Sequence, residues 1–511
     1  MKTQFNFTKK MLIACLLYLG SAGSLLMAQG ISAAATPNQL IMQELEVAER
    51  DHSIQAGGKN LNYKTTAGFM HMSNEEGKEK AKFYFTAYTL KSVSNPKDRP
   101  ITFVFNGGPG SSSVWLHMGG LGPRMIEMTE DGEALPPPYN VIDNPNTWLD
   151  KTDLVFIDPI ETGYSRPAEG EDKKQFLGYV EDIASVGDFI RAYVSEFQRW
   201  NSPKFLSGES YGTTRAAGLS GYLQDRYGMY LNGIIMISAV TNFATLNFTK
   251  GHDLPYIMYL PTYAAIAAYH KTLPSEISDV DAFVEEVRQY AKGEYASMLM
   301  KGDQLTDADK QQLANKLHEY TGLSKAYLDQ THYRINIGRF VKELLRDRKQ
   351  TVGRLDGRIL GLDYDHAGEG FEFDPSYSKA IYGPYSMAIN DYLRRELGFE
   401  SNLAYEILTG RVRPWNYNNV QNQYLNNSET LRNAIHKNPY LKVMFINGYY
   451  DLATPFFATE YTVDHMMVAP ELKDNISMKY YQSGHMVYIH KPSLDKMTVD
   501  VREFYDETLK K

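Results

Sequence analysis

Up to about residue 242, short apolar runs alternate with stretches of helical period. Residues 82–90, 101–105 and 154–157 read as strands, the last two apolar at almost every position, as in a strand buried on both faces. Residues 180–200 read as a helix, 203–207 as a short strand, 213–222 as a helix rich in Ala, Leu and Gly, and 231–237 as the strand that follows it. Strands alternating with helices predict an α/β fold: a mostly parallel central sheet flanked by helices, with reactive groups gathered at the strand ends.

The pattern then changes. From about 243 to 424 the chain is helical and charged. Thr306-Asp307-Ala308-Asp309 opens a helix that carries Leu313, Leu317 and Tyr320 on one face, and Phe283, Val284 and Val287 form the stripe of another over 281–290. Apolar strand-like runs return at 441–446 and 478–481. The expected organisation is a core over 36–242 and 425–511, interrupted by a helical cap insertion over 243–424. Such a cap would exclude water and shape the pocket. An independent helical domain with its own partner is the alternative.

Ahead of the core, Lys9-Lys10, an apolar run from Met11 to Met27 and small residues around Ala28 and Ala33-Ala34-Ala35 form the pattern of a secretory signal peptide over 1–28. The run is short for a membrane span, with an uncleaved anchor as the alternative, and no later segment is apolar enough to span a bilayer. Leu12-Ile13-Ala14-Cys15 superficially resembles a lipoprotein processing site, but too little hydrophobic sequence precedes it. Loss of 1–28 would take Lys2, Lys9, Lys10 and no acids, moving the net charge from -8 to -11. No net basic charge is then left for nucleic acid. With 511 residues and 43% apolar content, the chain can bury a large core.

Candidate chemistry begins at Gly208-Glu209-Ser210-Tyr211-Gly212, a G-x-S-x-G pattern between an expected strand and an expected helix. A turn sharp enough to hold a strained serine leaves no room for side chains on either flank, which accounts for the glycines. Ser210 is therefore the candidate nucleophile. Upstream, the 101–105 run enters Asn106-Gly107-Gly108-Pro109-Gly110, which can aim bare N–H groups into a cleft. The N–H groups of Gly108 and Tyr211 are the candidate oxyanion donors. A flexible turn or a phosphate loop is the alternative, although no lysine follows as a phosphate loop requires.

A serine hydroxyl needs a base to take its proton and an acid to orient that base, in the chain order Ser, Asp, His on this fold. Asp451 lies in the turn after the 441–446 run, and His485 lies just past the 478–481 run beside Gly484. With 12 histidines in the chain, any one could be an ordinary core or surface residue. Order, strand-end placement and the neighbouring glycines favour these two.

Asn106-Gly107-Gly108-Pro109-Gly110, Ile157-Asp158-Pro159 with Thr162-Gly163-Tyr164-Ser165, Gly208-Glu209-Ser210-Tyr211-Gly212 and Gly484-His485-Met486-Val487 resemble, in order, the signature blocks of serine carboxypeptidases, the carboxypeptidase Y and cathepsin A family. The resemblance implies an α/β-hydrolase fold with Ser210, Asp451 and His485 as a triad. It also implies that Asn106 and protonated Glu209 bind the C-terminal carboxylate of a peptide, with acid pH favoured. The residues agree in part, since a carboxyl in a cleft facing an anion has a raised pKa, whereas an exposed structural Glu would not. Two positions depart from the family pattern: Val104 stands where the family has Trp, and Gly120 where it has Glu, both members of its carboxylate-recognition network. Arg124 is a candidate compensating charge, a solvated arginine being the alternative.

The expected activity is a serine-type carboxypeptidase that removes C-terminal residues of peptides or proteins through an acyl-enzyme. An esterase, amidase or acyltransferase with the same triad, or a non-enzymatic binding protein on this fold, are the alternatives. The only cysteine, Cys15, lies in the expected leader, and a disulfide-free mature chain resembles a bacterial exported form, periplasmic or secreted. No cofactor or metal is expected. Asp363-Tyr364-Asp365-His366-Ala367-Gly368 begins like a calcium loop, yet Ala367 offers no ligand and Asp374 replaces the closing Glu. The 37 tyrosines are expected to pack, mostly under the cap.

Overall fold

The computed structural model describes residues 39–91 and 93–510, so the expected leader over 1–28 lies outside the described residues. Nine strands stand in line: β1 (Ile41–Ala56), β2 (Lys59–Ser73), β3 (Glu79–Leu90), β4 (Ile101–Phe105), β5 (Asp153–Ile157), β6 (Lys204–Ser210), β7 (Gly233–Ala239), β8 (Lys442–Gly448) and β9 (Ile476–Tyr481). Their spatial order is β1-β2-β3-β5-β4-β6-β7-β8-β9, and the short strand Arg166–Pro167 joins the edge of β3. Pairing is antiparallel from β1 to β5 and parallel from there to β9.

The continuous apolar runs are the central strands, as their pattern predicts. Every residue of β4, β5 and β7 is buried. Alternate side chains feed two layers. Phe103, Phe105, Leu206, Ile234 and Met236 pack with helices α1 (Tyr179–Glu196) and α2 (Tyr211–Tyr227). Val104, Phe156, Phe205 and Ile235 pack on the opposite side with the C-terminal helix, residues 491–508. Each such side chain contributes roughly 1.5–3 kcal/mol relative to exposure.

Between β7 and β8 the chain forms α3 (Leu254–Tyr269), α4 (Val280–Tyr290), α5 (Asp307–Thr321), α6 (Tyr382–Arg395) and α7 (Ser428–Lys437), with a two-stranded ribbon at Thr351–Val352 and Leu360–Gly361. Helix α5 starts on the expected capping box: Thr306 Oγ1 accepts from Asp309 N at 3.2 Å, and Asp309 Oδ2 accepts from Thr306 N at 2.9 Å. Phe283, Val287, Leu313 and Tyr320 gather with residues of α3 in a third apolar cluster, which also takes in Tyr449 and Phe456 from the segment after β8. Helix α7 returns to the sheet and packs on α2. Among the described residues, no helix is long and apolar enough to cross a membrane.

The long β1–β2 hairpin lacks the apolar signal that marks the other strands. It turns through Gly57 and Gly58, both at positive φ (57° and 72°), the backbone that a two-residue hairpin turn demands. Strand β1 carries Glu44, Glu46, Glu49, Arg50 and Asp51, charges that discourage further pairing along an open edge.

The chain leaves β4 to one side for β5 and later returns on the other for β6. The crevice beyond the carboxyl ends of β4 and β6 is therefore the position where a sheet of this kind binds its ligand.

Candidate active site

Strand β6 ends at Ser210 and α2 begins at Tyr211 with no residue between them. Ser210 stands at φ 60° and ψ -128°, a conformation that costs of order 1–3 kcal/mol and is retained where surrounding structure enforces it. The enforcement is steric. A Cβ on Gly208 would sit 2.2 Å from the carbonyl oxygen of Gly212, and one on Gly212 would sit 2.7 Å from that of Phe105. A Cβ on Gly107 would stand 2.4 Å from Tyr211 N, so the Gly107-Gly108 turn lies directly against the amide that follows the serine.

Asp451 lies three residues beyond β8 and is wholly buried. Its Oδ1 accepts from the amides of Ala453 (2.8 Å) and Thr454 (3.0 Å), while its Oδ2 accepts from Thr454 Oγ1 (2.8 Å) and faces His485 Nδ1 at 2.8 Å. Burial alone would lower the pKa of His485, but the Asp451 carboxylate outweighs it and the net shift is upward. The His485 backbone is held from both sides: its amide donates to Leu355 O at 2.6 Å and its carbonyl accepts from Ser238 Oγ at 2.6 Å. Ser210 and His485 line the same cleft, of about 1000 Å³. No hydrogen bond joins them among the described residues, a contact that commonly tightens only when substrate is bound.

Glu209 is 3% exposed and Asn106 1%, which excludes the reading of Glu209 as an exposed structural residue. Asn106 Nδ2 donates to Glu209 Oε1 at 3.0 Å, and Asn106 Oδ1 accepts from Leu116 N at 3.1 Å. Burial pushes the Glu209 carboxyl up to about 7, against the opposing pull of His485. Its Oε2 and the Tyr488 hydroxyl both lack a partner among the described residues, although the two groups lie close enough to influence each other's titration. Tyr488 also explains Gly120, where a Cβ would stand 2.8 Å from the Tyr488 Cβ. A phenol thus occupies the neighbourhood of the missing side chain. Val104 is buried within β4.

Two buried acids brace the loops. Asp182 pairs with Arg215 at 2.8 Å, and Arg215 Nη1 donates to Asn106 O at 2.6 Å, tying the elbow helix to the loop after β4. Asp158 accepts from Ser113 N and Ser113 Oγ, both at 2.8 Å, which fixes the far end of that loop. The roles of Thr454, Arg215 and Tyr488 have no local signature in the sequence, because His485, Asp182 and Glu209, which they respectively face, lie far from them along the chain.

Arg124 does not reach the cleft. It pairs with Asp143 and with Glu396 (2.9 Å), so it supplies no compensating charge there. The cations that line the cleft are Arg354 and Arg413, both from the segment between β7 and β8. In the calcium-like loop, Asp363 pairs with Lys342, and Asp365 accepts from the amides of Ala367 and Gly368. Among the described residues no group of three His, Cys, Asp or Glu is placed to hold a metal ion.

A G-x-S-x-G turn between a strand end and a helix, an Asp-His pair on the loops after the last two strands and this strand order define an α/β-hydrolase fold. The family model for serine carboxypeptidase matches residues 56–500, and the chain belongs to that family. It is a serine hydrolase of the carboxypeptidase class. Serine carboxypeptidase-like 5 of Arabidopsis thaliana is 21% identical over 354 residues, 64% of this chain and 72% of that protein. The pheromone-processing carboxypeptidase KEX1 of Saccharomyces cerevisiae is 32% identical over 156 residues, 28% of this chain and only 20% of that protein's length. The crystal structure of Kex1(delta)p, a prohormone-processing carboxypeptidase from Saccharomyces cerevisiae, superposes with a TM-score of 0.55 at 15% identity, covering 86% of this chain and 91% of that one.

Proposed function

We propose that the chain removes C-terminal residues from peptides by a Ser210-His485-Asp451 triad and an acyl-enzyme. The observation that carries this reading is the buried contact of Asp451 with His485 Nδ1 at 2.8 Å, in one cleft with a serine at φ 60°. Held through Nδ1, the imidazole presents Nε2 to the serine. Nε2 takes the Ser210 proton as Oγ attacks the scissile carbonyl. The N–H groups of Gly108 and Tyr211 stabilise the oxyanion, and His485 returns the proton to the leaving amine. Water, deprotonated by His485, then releases the acyl group.

Asn106 and protonated Glu209 receive the carboxylate of the departing residue. The helical segment between β7 and β8 serves as a cap, and residues 1–28 direct export, which N-terminal sequencing of the secreted protein checks. An esterase or amidase is the second reading, favoured by Val104 and Gly120 where the family carries recognition side chains.

The test is a mass-spectrometric time course on one peptide with free and amidated C-termini. Stepwise trimming of the free peptide alone supports the exopeptidase; hydrolysis of simple esters with neither peptide trimmed favours the second reading.

The pH dependence follows from the sign of the Glu209 shift. Its carboxyl is neutral below about 7 and repels a substrate carboxylate above that value. KM for free-terminus peptides should therefore climb up to tenfold per pH unit on the alkaline side. Glu209→Gln, which keeps a neutral donor there, should remove this limb and leave the acid limb, set by protonation of His485. An unchanged alkaline limb in Glu209→Gln would remove Glu209 from carboxylate recognition.

A further inference from the structure

The cleft holds one carboxyl, that of Glu209, against two guanidinium groups. Other arginines nearby are committed: Arg411 to Glu161 (2.6 Å), Arg358 to Asp356 (2.7 Å) and Arg215 to Asp182 (2.8 Å). The side chains of Arg354 and Arg413 take part in no ion pair or hydrogen bond among the described residues. Arg354 is half-buried, and aromatic and apolar groups such as Trp115, Tyr377, Ile381 and Trp415 line the cleft with it. A guanidinium has five donors and no acceptor, so one that is partly desolvated without a partner is a site for an anion.

The backbone around Arg354 is firmly placed. Its amide donates to Asp374 Oδ1 at 3.0 Å and its carbonyl accepts from Leu452 N at 3.1 Å, beside Asp451. The next residue, Leu355, accepts from His485 N at 2.6 Å. The segment is thereby bound to both loops of the Asp-His pair, and only the side chain is left to reach for a ligand. Arg354 also opposes protonation of His485, so the two groups sense each other.

We infer that Arg354, assisted by Arg413, is a specificity-determining residue that pairs with a carboxylate of the substrate and makes acidic peptides the preferred class. This rests on the reading of Ser210 as nucleophile. A carboxylate can come from an acidic side chain or from the peptide terminus. Asn106 and Glu209, at the ends of β4 and β6, are already assigned to the terminus, whereas Arg354 stands beside the His485 loop. The acidic side chain of the residue that forms the acyl-enzyme is the source that fits.

The test uses α-blocked glutamate and glutamine esters with one leaving group, together with peptides carrying Glu or Gln before the released residue, on wild type, Arg354→Gln and Arg354→Lys. Wild type should favour the glutamate ester roughly ten- to hundredfold in kcat/KM, chiefly through KM, as a charged hydrogen bond warrants. The preference should weaken with salt, vanish in Arg354→Gln and return in part in Arg354→Lys. Loss confined to free-terminus peptides, whatever the side chain, would keep the carboxylate pairing but assign it to the terminus. Arg354→Gln lowering every substrate equally, or none, overturns the inference. A glutamate preference on esters with no peptide trimmed would sink the exopeptidase reading and leave standing the pairing of Arg354 with an acidic side chain on the acyl group.

Discussion

Ser210→Ala is expected to reduce kcat by about 10⁵- to 10⁶-fold, because no other group on the elbow can form the covalent intermediate. What remains is the catalysis that oxyanion donors and substrate positioning supply by themselves, on the order of 10³–10⁴ over water. The fold should be untouched. Alanine retains the Cβ that the φ 60° position already accommodates, and the Ser210 hydroxyl holds no structural hydrogen bond among the described residues. The thermal midpoint should therefore stay within the change expected of about 0.5 kcal/mol. Covalent capture by a fluorophosphonate reads the same prediction directly: one label per wild-type chain and none on the variant. Turnover within tenfold of wild type would place the nucleophile elsewhere.

Asp451→Asn should cost about 10⁴-fold in kcat. Each oxygen of this carboxylate faces donors: two backbone amides on Oδ1, and Thr454 Oγ1 with His485 Nδ1 on Oδ2. An asparagine must turn its NH₂ toward one of these sets. Turned toward His485, it forces the tautomer whose proton sits on Nε2, and the base can no longer accept from Ser210. Turned the other way, it sets donor against donor in a fully buried site, at about 1–3 kcal/mol of stability. The pH profile separates this outcome from general damage. Asp451 is what lifts the His485 pKa, so its neutralisation should move the acid limb of kcat to lower pH even as the rate falls. Unaltered kcat with an unmoved acid limb would remove Asp451 from the site.

Local signals carried most of the core. The buried runs at 101–105, 154–157 and 441–446 became β4, β5 and β8 within a residue or two, because such strands satisfy both faces with apolar side chains. The elbow was legible because its glycines answer a steric demand confined to a few residues. The β1–β2 hairpin was not, since its charged outer strand spreads the apolar signal thinly. Thr454 and Tyr488 were equally hidden. A threonine three residues after an aspartate, or a tyrosine three after a histidine, has no distinctive signature until the fold sets the first against His485 and the second against Gly120 and Glu209. The pairing of Arg124 is hidden for the same reason, since neither Asp143 nor Glu396 is marked as its partner by the sequence around it.

The position of β8 in the sheet has a consequence for biosynthesis. Gly233 of β7 pairs with Lys442 of β8, so seven of the nine in-line strands can be made and aligned before the strand that leads to Asp451 exists. Such a distant pairing is slow to form and leaves the parallel edge of β7 open while it waits. A nascent chain at that stage already carries Ser210 but neither Asp451 nor His485. On the proposed triad, peptidase activity would therefore wait until the strands that lead to Asp451 and His485 have been made and paired.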